Sequence, residues 1–262
     1  EGLSAAEARG RIYGFNRYGL LVEGCQGVRP GQERMLRTRD EVAGWHLSDP
    51  AAVGISLLDA VRNAKITILL GVSAQAGAFT EEIVRAVGAN SERPVIFPLS
   101  NPTSKSEAIP ADILRWTGGG ALVGTGSPFL PVEYDGRQVR ISQVNNSYIF
   151  PGLALGILVS RARIVTDSMI MASAKALASL SPTREDPGAP LLPPIADARK
   201  VSLVVAEAVG RQAIHEGVAQ ISHAHTLKEL LEGYVWEPEY LPYERHDLSW
   251  IKNESGSSRS HS

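Results

Sequence analysis

The chain has 262 residues, 44% of them hydrophobic, and a formal net charge of -2 from 26 basic and 28 acidic residues. A chain of this length buries roughly 75% of its unfolded surface, enough for one large domain with appendages, and the balanced charge, without long runs of either sign, excludes nucleic acid and an anionic membrane as expected partners. A lone cysteine, Cys25, excludes an internal disulfide, and with neither a signal peptide nor an apolar stretch of about 18 residues the expected compartment is the reducing cytoplasm.

In chain order, Ser4-Ala5-Ala6-Glu7 is a capping-box pattern that launches a helix, and because the first residue is Glu1 rather than Met, sequence upstream of it is expected. Ile12 to Phe15 is a short strand candidate, and Ser56 to Asn63 reads as a helix with Leu57, Leu58 and Val61 on one face. Ile66 to Val72 is an uninterrupted apolar run rich in β-branched residues, the pattern of a parallel strand covered on both faces. Thr80 to Val87 is a helix with acids in its first turn, Pro94 to Leu99 a second buried strand, Pro110 to Trp116 a helix preceded by Ser106 and Glu107, and Ala121 to Thr125 a third strand. Strand, helix, strand, helix, strand in about 60 residues predicts an α/β fold with a doubly wound, Rossmann-like and mostly parallel sheet. Asp135-Gly136 between two alternating segments predicts a hairpin. Beyond it Leu153 to Ser160, Val165 to Leu180 and Val201 to His215 are helical, separated by the proline-rich loop Ser181 to Pro194, and the serine-rich stretch from Asn253 to Ser262 is expected to be a disordered tail. The expected organisation is a nucleotide-binding unit over residues 1–160, a helical region over 161–250 and a tail over 251–262.

In open α/β sheets ligands bind outside the carboxyl ends of the strands. Three strands here end in small or amide-bearing residues: Gly71-Val72-Ser73-Ala74, Ser100-Asn101-Pro102-Thr103 and Gly124-Thr125-Gly126-Ser127-Pro128. The proline after Asn101 keeps that residue extended at the rim, where its amide can donate and accept; a strand cap and turn would read the same way. Asn145-Asn146, at the entrance of an apolar helix, is either a pair of caps or a second part of a site.

The segments LLGVSAQAGAFTEEIVRA, PVIFPLSNPTSKSEAIPADILRWT, ALVGTGSPFLPVEYDG and NNSYIFPGLALGIL, in this order and spacing, resemble the cofactor-binding part of the malic enzymes, most of all the bacterial NAD-linked type. The likeness runs from Gly2 to about Tyr243. It implies oxidative decarboxylation of L-malate to pyruvate and carbon dioxide, with NAD reduced (NADP being possible) and Mn²⁺ or Mg²⁺ as Lewis acid in the complete enzyme. It also implies a homo-oligomer, dimer or tetramer. By the resemblance, Asn101, Asn145 and Asn146 face the substrate carboxylates and the nicotinamide ribose or carboxamide. Val72, Ser73 and Ala74 pass beneath the cofactor, where small residues allow close backbone approach, and Asn16 with Arg17 stands at the adenosine ribose.

Three departures qualify the likeness. NAD-linked members usually carry aspartate where this chain has Asn16, at the end of the second sheet strand, so NAD against NADP stays open with NAD favoured. The family's GVSGQGG reads Gly71-Val72-Ser73-Ala74-Gln75-Ala76-Gly77 here, and alanine is strained at any of these positions that requires positive φ. The sheet is expected to lack its first strand and the glycine turn that holds the pyrophosphate, and the family's catalytic tyrosine and lysine and its metal carboxylates are expected upstream. The piece alone is therefore predicted to lack malate oxidation, and a non-catalytic binding or assembly module derived from a malic enzyme is the alternative.

Other residues carry less. Lys105 and Lys175 read as exposed rather than as bases, Asp167 as a first-turn helix acid, Cys25 as a free thiol, and His223 with His225 as a surface pair rather than a zinc site. Tyr234, Trp236, Tyr240, Tyr243 and Trp250 form an aromatic cluster that either contributes an oligomer contact or anchors a terminal extension.

Overall fold

The computed structural model describes residues 2–221, 224–235 and 240. His223, Trp236, Tyr243, Trp250, the side chain of His225 and the serine-rich tail lie outside the described residues. Helix α1 (Ala5–Gly10) starts at the expected capping box, with the Ser4 hydroxyl accepting from Glu7 N and the Glu7 carboxylate accepting from Ser4 N. A two-stranded antiparallel hairpin follows, β1 (Phe15–Asn16) with β2 (Gly19–Leu20). Next come α2 (Arg39–Val42), with a second capping box at Thr38 that the sequence pattern did not single out, and α3 (Leu57–Ala64), capped by Ser56.

The α/β unit then runs β3 (Ile68–Gly71), α4 (Glu81–Ala89), β4 (Val95–Pro98), α5 (Pro110–Trp116) and β5 (Leu122–Thr125). Thr80 caps α4 through its hydroxyl, and α5 opens with Pro110, whose missing N–H costs nothing in a first turn. The expected hairpin is β6 (Val132–Tyr134) with β7 (Arg137–Val139). Its turn residues Asp135 and Gly136 have φ of 50° and 70°, the paired positive values of a tight hairpin. The short strand β8 (Ser142–Gln143) joins β5 on the far side, so the described sheet is parallel with order β3-β4-β5-β8.

One face of this sheet packs on α3, α4 and α5. Val61, Val84, Val87, Ile96 and Ile113 are fully buried there, each contributing about 1.5–3 kcal/mol by leaving water. The expectation that Ile66 to Val72 is covered on both faces does not hold. Leu69 is 5% exposed, but its neighbours Ile68 and Leu70 are 56% and 58% exposed. Strand β3 is terminal in the described sheet, and among the described residues nothing covers the face on which these two side chains stand.

The helical part consists of α6 (Phe150–Ser160), α7 (Asp167–Ser179), α8 (Ala198–His215) and α9 (Ala224–Tyr234). Helices α6 and α8 touch backbone to backbone. A Cβ at Gly152 would lie 2.6 Å from Ser202 O, and one at Gly156 would lie 2.6 Å from Ala206 O. Glycine four residues apart puts both gaps on one side of α6, and Val205 and Val209 fill the seam. The proline-rich loop crosses back to the sheet: Tyr148 Oη donates to Pro193 O, and Leu192 N donates to Ser142 Oγ. No described helix is long and apolar enough to cross a membrane.

Candidate functional site

Parallel pairing brings the carboxyl ends of the four strands side by side, and hydrogen bonds stitch each exit to the next. Leu99 N donates to Gly71 O at 2.8 Å, and Ala74 N donates to Ser100 Oγ at 2.8 Å. Gly126 N donates to Pro98 O, and Val144 N to Thr125 O at 2.7 Å. The loops carrying Val72, Ser73 and Ala74, then Asn101, then Gly126 and Ser127, then Asn145 and Asn146 therefore form one continuous rim. Val72, Ser73, Ala74, Asn101, Asn145 and Asn146 are all exposed on it.

Asn101 is fixed rather than free, because the Ser127 hydroxyl donates to its Oδ1. The Asn101–Pro102 peptide bond is cis. With Oδ1 engaged by Ser127, the donors left to the amide are its N–H groups. The neighbouring Gly126 is obligatory, since a Cβ there would sit 2.1 Å from Leu99 O and 3.1 Å from the Asn101 amide nitrogen. Asn145 caps the short helical turn Asn146–Tyr148 by accepting from Ser147 N at 2.9 Å, so the capping expectation is met at one of the two asparagines while both remain at the rim.

The substituted glycine pattern is half strained. Ala74 holds φ of 55°, a left-handed conformation that costs an L-residue free energy. Gly77 takes φ of 74°, and Ala76 is not among the described residues with positive φ.

Asn16 and Arg17 stand apart. The sequence reading put Asn16 at the end of a strand of the main sheet, whereas it lies in the separate β1–β2 hairpin, anchored by Leu20 N donating to Ile55 O. Both ends of its amide are occupied: Oδ1 accepts from Tyr18 N, and Nδ2 donates to Gln26 O, each at 2.8 Å. The Arg17 guanidinium lies 5.6 Å from the centre of the Tyr18 ring.

Ser100 and Ser127 stand at the strand exits as the sequence suggested, and one residue of the rim, Glu107, was not among the expected site residues. Glu107, read only as preceding a helix, is fully buried beneath the β3 and β4 exits and accepts hydrogen bonds from Ser73 N, Ser73 Oγ and Ser100 Oγ. Burial pushes its carboxyl up, but the bonds from Ser100 and Ser73 outweigh that and hold the pKa below its ordinary value of 4.5. The available signal was a hydroxyl at each of three strand exits, Ser73, Ser100 and Ser127.

Among the described residues no three His, Cys, Asp or Glu side chains converge to hold a metal, so Mn²⁺ or Mg²⁺ finds no ligand set there. A cavity of about 460 Å³ elsewhere, between α3 and α4, is lined by Arg62, Lys65, Glu82 and Arg85. Two of its cations are already paired, Arg62 with Glu82 and Arg85 with Glu81, and it lies away from the strand ends. The rim is the better site, because it follows the rule for open parallel sheets and has polar groups already oriented.

The model of the malic enzyme NAD-binding domain family matches residues 1–214. The NAD-dependent malic enzyme of Acinetobacter baylyi is 47% identical over 94% of this chain and 43% of its own length, and that of Shewanella sp. strain ANA-3 is 48% identical over the same shares. The chain thus spans less than half the length of these relatives. Among solved structures, the Entamoeba histolytica malic enzyme is 25% identical with a TM-score of 0.62, covering 85% of this chain and 41% of that one. The Pyrococcus horikoshii malic enzyme is 29% identical with a TM-score of 0.52, covering 68% and 38%. A parallel sheet with its helices in this order and a family match over most of its length lead to one conclusion: the chain belongs to the malic enzyme NAD-binding domain family.

Proposed function

We propose that the chain supplies the nicotinamide side of a malic enzyme, which oxidises and decarboxylates L-malate to pyruvate and carbon dioxide while reducing NAD. The observation that carries this is the convergence of Val72, Ser73, Ala74, Asn101, Asn145 and Asn146 at the ends of adjacent parallel strands in a chain of this family. The small residues of the β3 exit let a flat ring approach the backbone. Asn101, its oxygen held by Ser127, donates an N–H to a substrate carboxylate or to the carboxamide oxygen, and Asn145 and Asn146 contact substrate and nicotinamide ribose. Bound NAD supplies the hydride acceptor at malate C2.

These groups orient and do not titrate, so proton transfer and metal binding fall to residues outside those described. Asn16 and Arg17 are assigned to the adenosine end, with NAD preferred over NADP. The active protein is a homo-oligomer of the cytoplasm, with malate and pyruvate as its small-molecule partners.

A second reading, a binding or assembly module without catalysis, is favoured by one observation: each end of the Asn16 amide already makes a bond inside its own hairpin, which leaves one N–H and one lone pair for a ribose. Calorimetric titration with NAD, followed by malate and Mn²⁺ with NADH absorbance recorded, separates the two. The proposal expects saturable NAD binding and no NADH from this chain alone. Absence of NAD binding favours the second reading, and malate-dependent NADH formation contradicts the assignment of the chemistry to other residues.

A further inference from the structure

Glu107 is a buried carboxylate that the proposed chemistry does not touch. It has no ion-pair partner among the described residues; its charge is met by hydrogen bonds alone. Oε1 accepts from Ser73 N at 2.8 Å, from Ser73 Oγ at 2.8 Å and from Ser100 Oγ at 2.5 Å, while Oε2 faces Ser100 N at 3.4 Å. Ser100 Oγ in turn accepts from Ala74 N at 2.8 Å, so one carboxylate and one hydroxyl hold the β3 exit against the β4 exit. The backbone beside it extends the hold: Glu107 O accepts from Phe79 N at 3.0 Å, and Ser106 O accepts from Gly77 N at 3.3 Å. Both ends of the loop from Ser73 to Phe79 are thereby tied to the segment that follows Asn101. Gly71 is matched to this arrangement, because a Cβ there would lie 2.6 Å from the Glu107 Cδ.

We propose that Glu107 is the positioning residue of the rim, setting the spacing between the Val72–Ala74 loop and Asn101 and, through it, the fit of the nicotinamide. The proposal rests on the site reading given above for its ligand, and on the bond pattern alone for the positioning itself. Its bonds join the two exits that the site reading places on either side of the ring. A charge-assisted acceptor serving several donors is also the strongest way to hold a loop that exposes its other face to solvent.

Glu107→Gln keeps the volume but turns one acceptor oxygen into an amide that meets only donors. Site-resolved hydrogen exchange on this chain should show the amides of Ser73, Ala74 and Ser100 exchanging roughly ten to a hundred times faster, while Val84, Val87 and Ile96 in the core keep their protection. Ser100→Ala removes the bridging hydroxyl without touching the acid, and should loosen Ala74 and Ser73 in the same pattern. NAD affinity, titrated on the same proteins, should fall roughly tenfold in both variants. Faster exchange spread evenly through the core, in either variant, would mean a merely structural acid and overturn the proposal, as would unchanged exchange at the rim. Rim-selective loosening in a protein whose unsubstituted form does not bind NAD would retain the positioning and sink the site reading instead.

Discussion

The α6–α8 seam and the rim of the parallel sheet are both regions of close approach, but different forces hold them. At the seam glycines remove side chains so that two helices meet, and Val205 and Val209 fill what remains. At the rim the loops are spaced by a carboxylate and hydroxyls, with polar atoms directed at one another. Packing of the first kind resists change everywhere along the contact, whereas the second holds specific atoms in place and leaves one side open to a ligand. Stability should therefore reside mainly in the seam and the α3–α5 core, and recognition in the rim.

The strongest test of that division is Gly156→Ala. The new Cβ would meet Ala206 O at 2.6 Å and Val209 Cβ at 2.8 Å, so the helices must part. A loss of about 1–3 kcal/mol in urea unfolding is expected, with NAD affinity in the folded fraction unchanged. A fall in affinity comparable to that of a rim variant would erase the distinction.

Ser127→Ala should behave in the opposite way. It frees Asn101 Oδ1 and lets the amide rotate, so NAD or malate-analogue affinity is expected to drop about fivefold while stability shifts by less than about 1 kcal/mol. Rescue by Ser127→Thr, which keeps the hydroxyl, would separate the hydrogen bond from the loss of volume.

Acid should act on the rim through Glu107. Its folded pKa lies below the ordinary 4.5, so the stability it contributes is fully present above that pH and is lost as pH falls through the lowered value. Asp59, buried and served by Ser48 and Ser56, is lowered too, with burial opposing those bonds. Urea midpoints measured from neutral pH down to about pH 3 should fall, and Glu107→Gln should flatten only part of that fall.

Smaller effects complete the series. Ala74→Gly relieves the left-handed strain at φ of 55° and should change stability by no more than about 1 kcal/mol in the favourable direction. Arg62→Ala breaks an ion pair whose partners are 50% and 61% exposed, so it should cost less than about 0.5 kcal/mol and leave cofactor affinity alone.

Much of the sheet part was legible in the sequence because its signals are local. Ser4, Ser56 and Thr80 mark helix starts, Asp135-Gly136 marks the hairpin, and the apolar runs at Ile68 and Val95 mark strands. What escaped depends on partners distant in sequence. Strand β8 has two residues and exists only by pairing with β5. Glu107 looked like an ordinary acid before a helix, because its partners Ser73 and Ser100 lie 34 and 7 residues away. The exposed face of Ile68 and Leu70 was hidden for the same reason, since composition reports that a strand can be buried and not whether anything covers it. Asn101 and the Asn145–Asn146 pair were visible as residue types at strand exits, but the Ser127 bond that orients Asn101 was not.

The most direct test of the central claim is an amide chemical-shift map of this chain titrated with NAD. The account predicts saturable shifts at Val72, Ser73, Ala74, Asn101, Asn145 and Asn146, with the α6–α8 seam unmoved. Shifts confined to the basic cavity around Arg62, Lys65 and Arg85, or none that saturate at the rim, would contradict it.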